Sequence, residues 1–285
     1  MQAGSLRRWA LAPALIIATA AALALALIAT PASGEAHVTY TVTIENLTAG
    51  QPFTPPVVAT HSSDLDIFET GQTASAEIQA IAENGNNDPL VALLGGSSAV
   101  VDSTTGTAAV MPGETATLTV TGLPGGLIST AMMLICTNDG FTGLDSVPLP
   151  ATGSTTVDTN AYDAGTETNT EDFADIVPPC QSLIGVESAD EGTGESNPAL
   201  AEGGVIAAHA GIQGGTDLTT DDHGWTDPVA RITVTAAEAT DLPSTGGAPL
   251  ESGSGIAWTL YLAIGGAMLF AAASVVFATS RRTIR

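Results

Sequence analysis

Three runs of this chain alternate apolar and polar residues with a period of two. They are Val38-Thr-Tyr-Thr-Val-Thr-Ile-Glu45, Thr115-Ala-Thr-Leu-Thr-Val-Thr121 and Val229-Ala-Arg-Ile-Thr-Val-Thr235. Such a run can only be a strand with one face in a core and one in water, and sheets wetted on one face are antiparallel. Ser129 to Cys136 is near-continuously apolar, which predicts a strand buried on both faces. Ser154 to Asp158 reads as a polar strand. Pro89 to Leu94, Ser98 to Val101 and Gly204 to His209 are short apolar runs bounded by turn residues, and read as further strands. One helix is expected between Gly71 and Gly85. There Ala74, Ile78, Ile81 and Ala82 fall at helical spacing, Thr73 serves as N-cap, and Asn84-Gly85 closes the end. The fold class is mainly β: an antiparallel sandwich with one short helix.

The two ends are of another kind. Residues 1–34 carry Arg7 and Arg8, an apolar run from Trp9 to Ile28, and then small residues, the order of a secretory signal peptide. The far end holds a low-complexity tether, 237–255, containing Leu242-Pro243-Ser244-Thr245-Gly246. An apolar transmembrane segment at 256–279 and a basic cytoplasmic tail at 280–285 follow. This order resembles the sorting signal of Gram-positive surface proteins, which an envelope sortase cuts between Thr and Gly, here Thr245 and Gly246. The alternative is an uncut membrane anchor. Both place residues 35–241 outside the cell, at the surface.

Charge narrows the function further. The sequence of 285 residues has 30 acids against 6 bases, a net charge of −24, and no lysine. Five of the six arginines lie in the two ends, so Arg231 is the single cation of the outer domain. Nothing there can neutralise a phosphate, which excludes a nucleic-acid partner. Such a surface favours divalent cations and tolerates high salt. The Tyr162-Asp163-Ala164-Gly165-Thr166-Glu167 stretch is an acidic turn in which Gly165 lets the chain reverse, and hard cations seek oxygen clusters of that kind. Taken alone, it equally fits a solvated turn. Cys136 and Cys180 are the only cysteines, so one pairing is possible; the alternative is two reduced thiols. Without nearby histidines they do not make a zinc site.

Several pieces stand in a recognisable order: His61-Ser62-Ser63-Asp64, the helix ending Ala82-Glu83-Asn84-Gly85, Asp139-Gly-Phe-Thr-Gly-Leu-Asp145, Tyr162 to Glu167, and Ala230-Arg-Ile-Thr-Val234. Together they resemble the spondin N domain, the module near the amino end of mindin and F-spondin that also occurs in bacterial secreted proteins. The resemblance covers roughly residues 37–236. It implies a C2-like β-sandwich and a bound calcium ion (Ca2+), with Glu114, Asp139 and Asp163 as the implied ligands and Asp145 and Glu167 as outer-shell carboxylates. The chain departs from the pattern at Gly140, where the animal proteins commonly carry a Trp.

Catalytic patterns are weak. His37, His61, His209 and His223 have no His or Cys at metal-ligand spacing, and no nucleophile elbow or phosphate-binding glycine loop is present. The residues of His61-Ser62-Ser63-Asp64 are too close in sequence to converge as a triad. The expectation is therefore a non-enzymatic, calcium-binding adhesion or ligand-binding domain whose ligand is an unspecified surface glycan or protein. The alternatives are a structural envelope spacer, or a secreted hydrolase using its acidic rim.

Overall fold

The computed structural model describes residues 36–190 and 192–238. The expected signal peptide, Thr245 and Gly246, the 256–279 segment and the basic tail lie outside the described residues. Among the described residues, no helix is long and apolar enough to cross a membrane.

Among the described residues, ten strands form two antiparallel sheets. The smaller has the order β4 (Thr115–Gly122), β1 (Val38–Asn46), β10 (Ala230–Ala236), β7 (Ser154–Thr159). The larger runs β3 (Val100–Thr105), β2 (Val57–His61), β5 (Leu127–Met133), β6 (Gly140–Pro148), β8 (Tyr162–Asp163), β9 (Ala207–Ala208). The period-two pattern decides which face of the smaller sheet is dry. Tyr40, Val42 and Ile44 of β1 and Ile232 and Val234 of β10 point inward, where they meet Val58, Ile128 and Met132 of the larger sheet. The outward face is mostly threonine, with Arg231 bonded to Asp158 on the neighbouring strand.

The opposite face of the larger sheet is covered by helices. Ile78 and Ile81 of α1 (Ala76–Asn84), Leu90 and Leu94 of α2 (Asp88–Gly96) and Cys180 of α3 (Pro179–Ile184) pack on Val57, Ala131, Met133 and Phe141. Each large side chain so buried stabilises the fold by about 1.5–3 kcal/mol. A fourth helical turn, α4, spans Thr220–His223.

Three sequence expectations are corrected here. The Pro89–Leu94 run is helical: Pro89 occupies the first turn, where its missing N–H costs nothing, and Leu90 and Leu94 sit one turn apart on the core. The described residues thus hold four helical segments rather than one. The cap of α1 is Ser75, whose Oγ accepts from Ile78 N at 3.3 Å, and not Thr73. Finally, β2 carries no alternation to announce it, because all five of its residues are buried between helices and the facing sheet.

Asn46-Leu47-Thr48 spells a glycosylation sequon, but Asn46 is wholly buried. Its Nδ2 donates to the carbonyls of Gln51 and Val110, and its Oδ1 accepts from Thr48 N and Oγ1. The amide ties the end of β1 to the following loop and is closed to a glycan in the folded domain.

Candidate functional site: the β5–β6 turn

Residues 134–139 connect β5 to β6 and organise one end of the molecule. Thr137 shapes the turn, its Oγ1 donating to Leu134 O at 2.6 Å and accepting from Gly140 N at 2.9 Å. A Cβ at Gly140 would lie 2.5 Å from Thr137 Oγ1, so no larger side chain fits there unless Thr137 shifts. The next two side chains capture a distant segment. Asn138 Oδ1 accepts from the backbone N–H groups of Thr170 and Glu171. Asp139 Oδ2 accepts from Thr166 N at 2.7 Å, Thr166 Oγ1 at 3.1 Å and Glu167 N at 3.0 Å. Behind them, Cys136 and Cys180 form a disulfide, and both residues are fully buried.

Asp163 ends β8, which pairs with β6 through Gly140. Its Oδ1 accepts from Gly165 N at 2.8 Å and its Oδ2 from Asn169 Nδ2 at 2.6 Å. Gly165 turns with φ +69°, and a Cβ there would meet Val205 N at 2.6 Å, so backbone approach as well as torsion requires glycine. Phe141, buried in the core, meets the half-buried Phe68 edge-on at 5.1 Å, and the half-buried Tyr162 packs tilted against both at 5.4 and 5.5 Å, beneath the turn.

The electrostatics are unfavourable as they stand. Asp139 is fully buried, and burial followed by the nearby charge of Asp163 pushes its pKa up to about 6, against the opposing hydrogen bonds. Glu167 is pushed up to about 7, first by burial and then by Glu83, Asp139 and Asp175. Asp139 Oδ1 is buried with no hydrogen-bond partner. An orphaned hard oxygen beside a second carboxylate fits a divalent cation, so Asp139 and Asp163 suit the implied calcium.

Glu114 does not join them. It precedes β4 at the edge of the smaller sheet, its carbonyl accepts from Asn46 N, and its side chain is exposed. Among the described residues no group of three or more His, Cys, Asp or Glu is placed to hold a metal ion. Asp145 is also elsewhere: its Oδ1 accepts from Ile67 N and lies 3.2 Å from Ser129 Oγ. Ser129 Oγ in turn lies 2.7 Å from His61 Nε2, while His61 Nδ1 is bonded to Ser62 O. His61, Ser129 and Asp145 therefore meet from three strands, but His61 and Ser129 are each 1% exposed and leave no room for a substrate.

Residues 45–176 match the Spondin_N family model. That segment is similar to the spondin N domain, whose family is one of extracellular modules. No curated protein matches the chain. The matched segment includes the β5–β6 turn and Asp163, so both aspartates belong to the spondin-like part.

Two buried groups near Asp163 were not singled out from the sequence as site residues. His209 stacks on Trp225 at 5.0 Å, and burial lowers its pKa despite the pull of Asp163, Glu171 and Asp227. Its Nδ1 accepts from Gly211 N, which leaves the proton on Nε2 and makes that atom a donor rather than a cation ligand. Glu171 is buried at φ +56°, with Oε2 unpartnered. The acidic run around Glu171 has no periodicity, so nothing local distinguishes it from a solvated loop.

Proposed function

We propose that the domain is an exported calcium-binding module that binds a ligand outside the cell without catalysing a reaction. The observation that carries this reading is the buried, unpartnered Oδ1 of Asp139 beside Asp163, within the spondin-like segment. Asp139 and Asp163 would hold the ion. Calcium takes 6–8 oxygens, so backbone carbonyls and water would complete the shell. The ion would offset the mutual repulsion of the two carboxylates and fix the 163–167 turn that carries them.

Calcium at about 100 times its dissociation constant should stabilise the full chain, purified in detergent, by about 2.7 kcal/mol. Asp163→Asn should abolish the shift in Tm. Unchanged wild-type melting in millimolar calcium would dismiss the metal. Binding to glycan arrays or cell surfaces, with and without chelator, then asks whether the ion serves adhesion; equal binding in both would separate the two.

The Leu242–Gly246 motif and the apolar segment after it support attachment to the envelope through the Thr245 carboxyl. Wild-type protein should resist detergent extraction and the Thr245→Ala variant should not. Equal extraction of the two would rule out the covalent link.

A further inference from the structure

A second acidic feature lies beyond the Asp139–Asp163 pair. The end of α1, the segment after Glu167 and the 193–198 loop enclose a cleft of about 280 Å³. Four carboxylates line it: Glu83, Glu167, Asp175 and, at its exposed rim, Glu195. Glu83 and Glu167 are each only 4% exposed. Glu83 Oε1 accepts from Gln79 Nε2, but Oε2 is buried and has no partner. Glu167 Oε1 accepts from Asn197 N at 2.6 Å, and Asn197 Nδ2 also reaches Asp175 at 3.3 Å, which fixes the loop that forms the far wall. Ile176, Val177 and Pro198 supply apolar wall.

Two buried glutamates in one cleft are costly as charges, and are relieved either by protonation or by a positive partner. This chain provides none among the described residues. Arg231, its only cation there, is engaged with Asp158 on the outer face of the smaller sheet. The carboxylates are not gathered as ligands to a single ion. The volume is below the roughly 300–1,000 Å³ typical of pockets for drug-sized ligands. Acidic groups at depth and apolar walls match a side chain with a methylene stem and a cationic head.

We propose that this cleft receives a lysine or arginine side chain of a partner protein. The proposal rests on the domain being a ligand-binding module, but not on its calcium. The test uses the full chain in detergent, with EGTA throughout, and fluorescence anisotropy of fluorescein-labelled Gly-Gly-Lys-Gly-Gly amide and its arginine and norleucine counterparts. The lysine and arginine peptides should bind and the norleucine peptide should not. Glu83→Gln should weaken binding roughly tenfold or more. Ser196→Trp, which fills the cleft from an exposed position and leaves every charge in place, should do the same. Asp158→Asn on the other sheet should have no effect. Wild-type binding by both cleft variants, or an equal loss in Asp158→Asn, would overturn the proposal in favour of diffuse attraction. Displacement of the peptide by magnesium at constant ionic strength would overturn it in favour of a metal. Because EGTA is present, a failed calcium response and a failed peptide response are read separately.

Discussion

Asp139→Asn is expected to leave the calcium-free protein at least as stable as wild type at pH 8, whereas Asp139→Ala should cost about 3 kcal/mol. Alanine strands three donors, Thr166 N, Thr166 Oγ1 and Glu167 N, that now share Oδ2. Asparagine keeps an acceptor for them and removes a buried charge facing Asp163. The same charge sets the pH response. The pKa of Asp139 is raised from 3.8 to about 6 and that of Glu167 from 4.5 to about 7, so the folded state holds these protons more tightly than the unfolded chain does. Their contribution to stability is fully present below about pH 4 and is lost as pH rises through 6 to 7. For Asp139 the loss is on the order of 3 kcal/mol. Urea denaturation in EGTA at pH 5 and pH 8 measures the part of it lost above pH 5, about 1.4 kcal/mol for Asp139. Calcium should flatten the slope in wild type and leave Asp139→Asn unchanged. Equal wild-type stability at the two pH values, with asparagine as damaging as alanine, would show that the carboxylate is a purely structural acceptor.

The second large effect concerns the disulfide. Cys136 and Cys180 are 44 residues apart, and closing a loop of that length stabilises the fold by about 4 kcal/mol on the chain-entropy estimate. The Cys136→Ala, Cys180→Ala double variant should lose about that much, and reduced wild type should match it. The bridge also enters the turn three residues before Asp139, and the carbonyl of Cys136 accepts from Gln51 Nε2 at 3.2 Å. Its loss should therefore blunt any calcium response as well. A change below about 1 kcal/mol between oxidised and reduced protein would mean that the turn is held by its hydrogen bonds alone.

The legible parts of this fold share a local physical signature. Val38–Asn46, Thr115–Gly122 and Ala230–Ala236 each have one wet face, so alternation marks them to within a residue or so. Val57–His61 lies between two layers and alternates nothing. The run at Pro89–Leu94 is equally apolar as strand or helix over so few residues, and only the Leu90 and Leu94 contacts with the core decide it. At the site, Asp139 and Asp163 were assigned because they stand in sequence motifs that resemble the spondin N domain. Glu114 was assigned by strand order, which fixes its end of the sandwich but not its distance across the sheet.

The sequence by itself determined that the outer chain is β-rich and acidic and has a single cation, and that one disulfide was possible. These are matters of composition and near-neighbour periodicity. Tertiary structure decided what depends on segments far apart in the chain. It brought Asp139 to the 166–167 backbone, left Glu114 at another edge, and spent Asp145 on Ser129 and Ile67. It also enclosed Glu83 and Glu167 in one cleft although they are 84 positions apart in the sequence. Whether a carboxylate is a solvated surface charge or a buried, unpartnered one depends on what the fold places around it, and no local pattern encodes that.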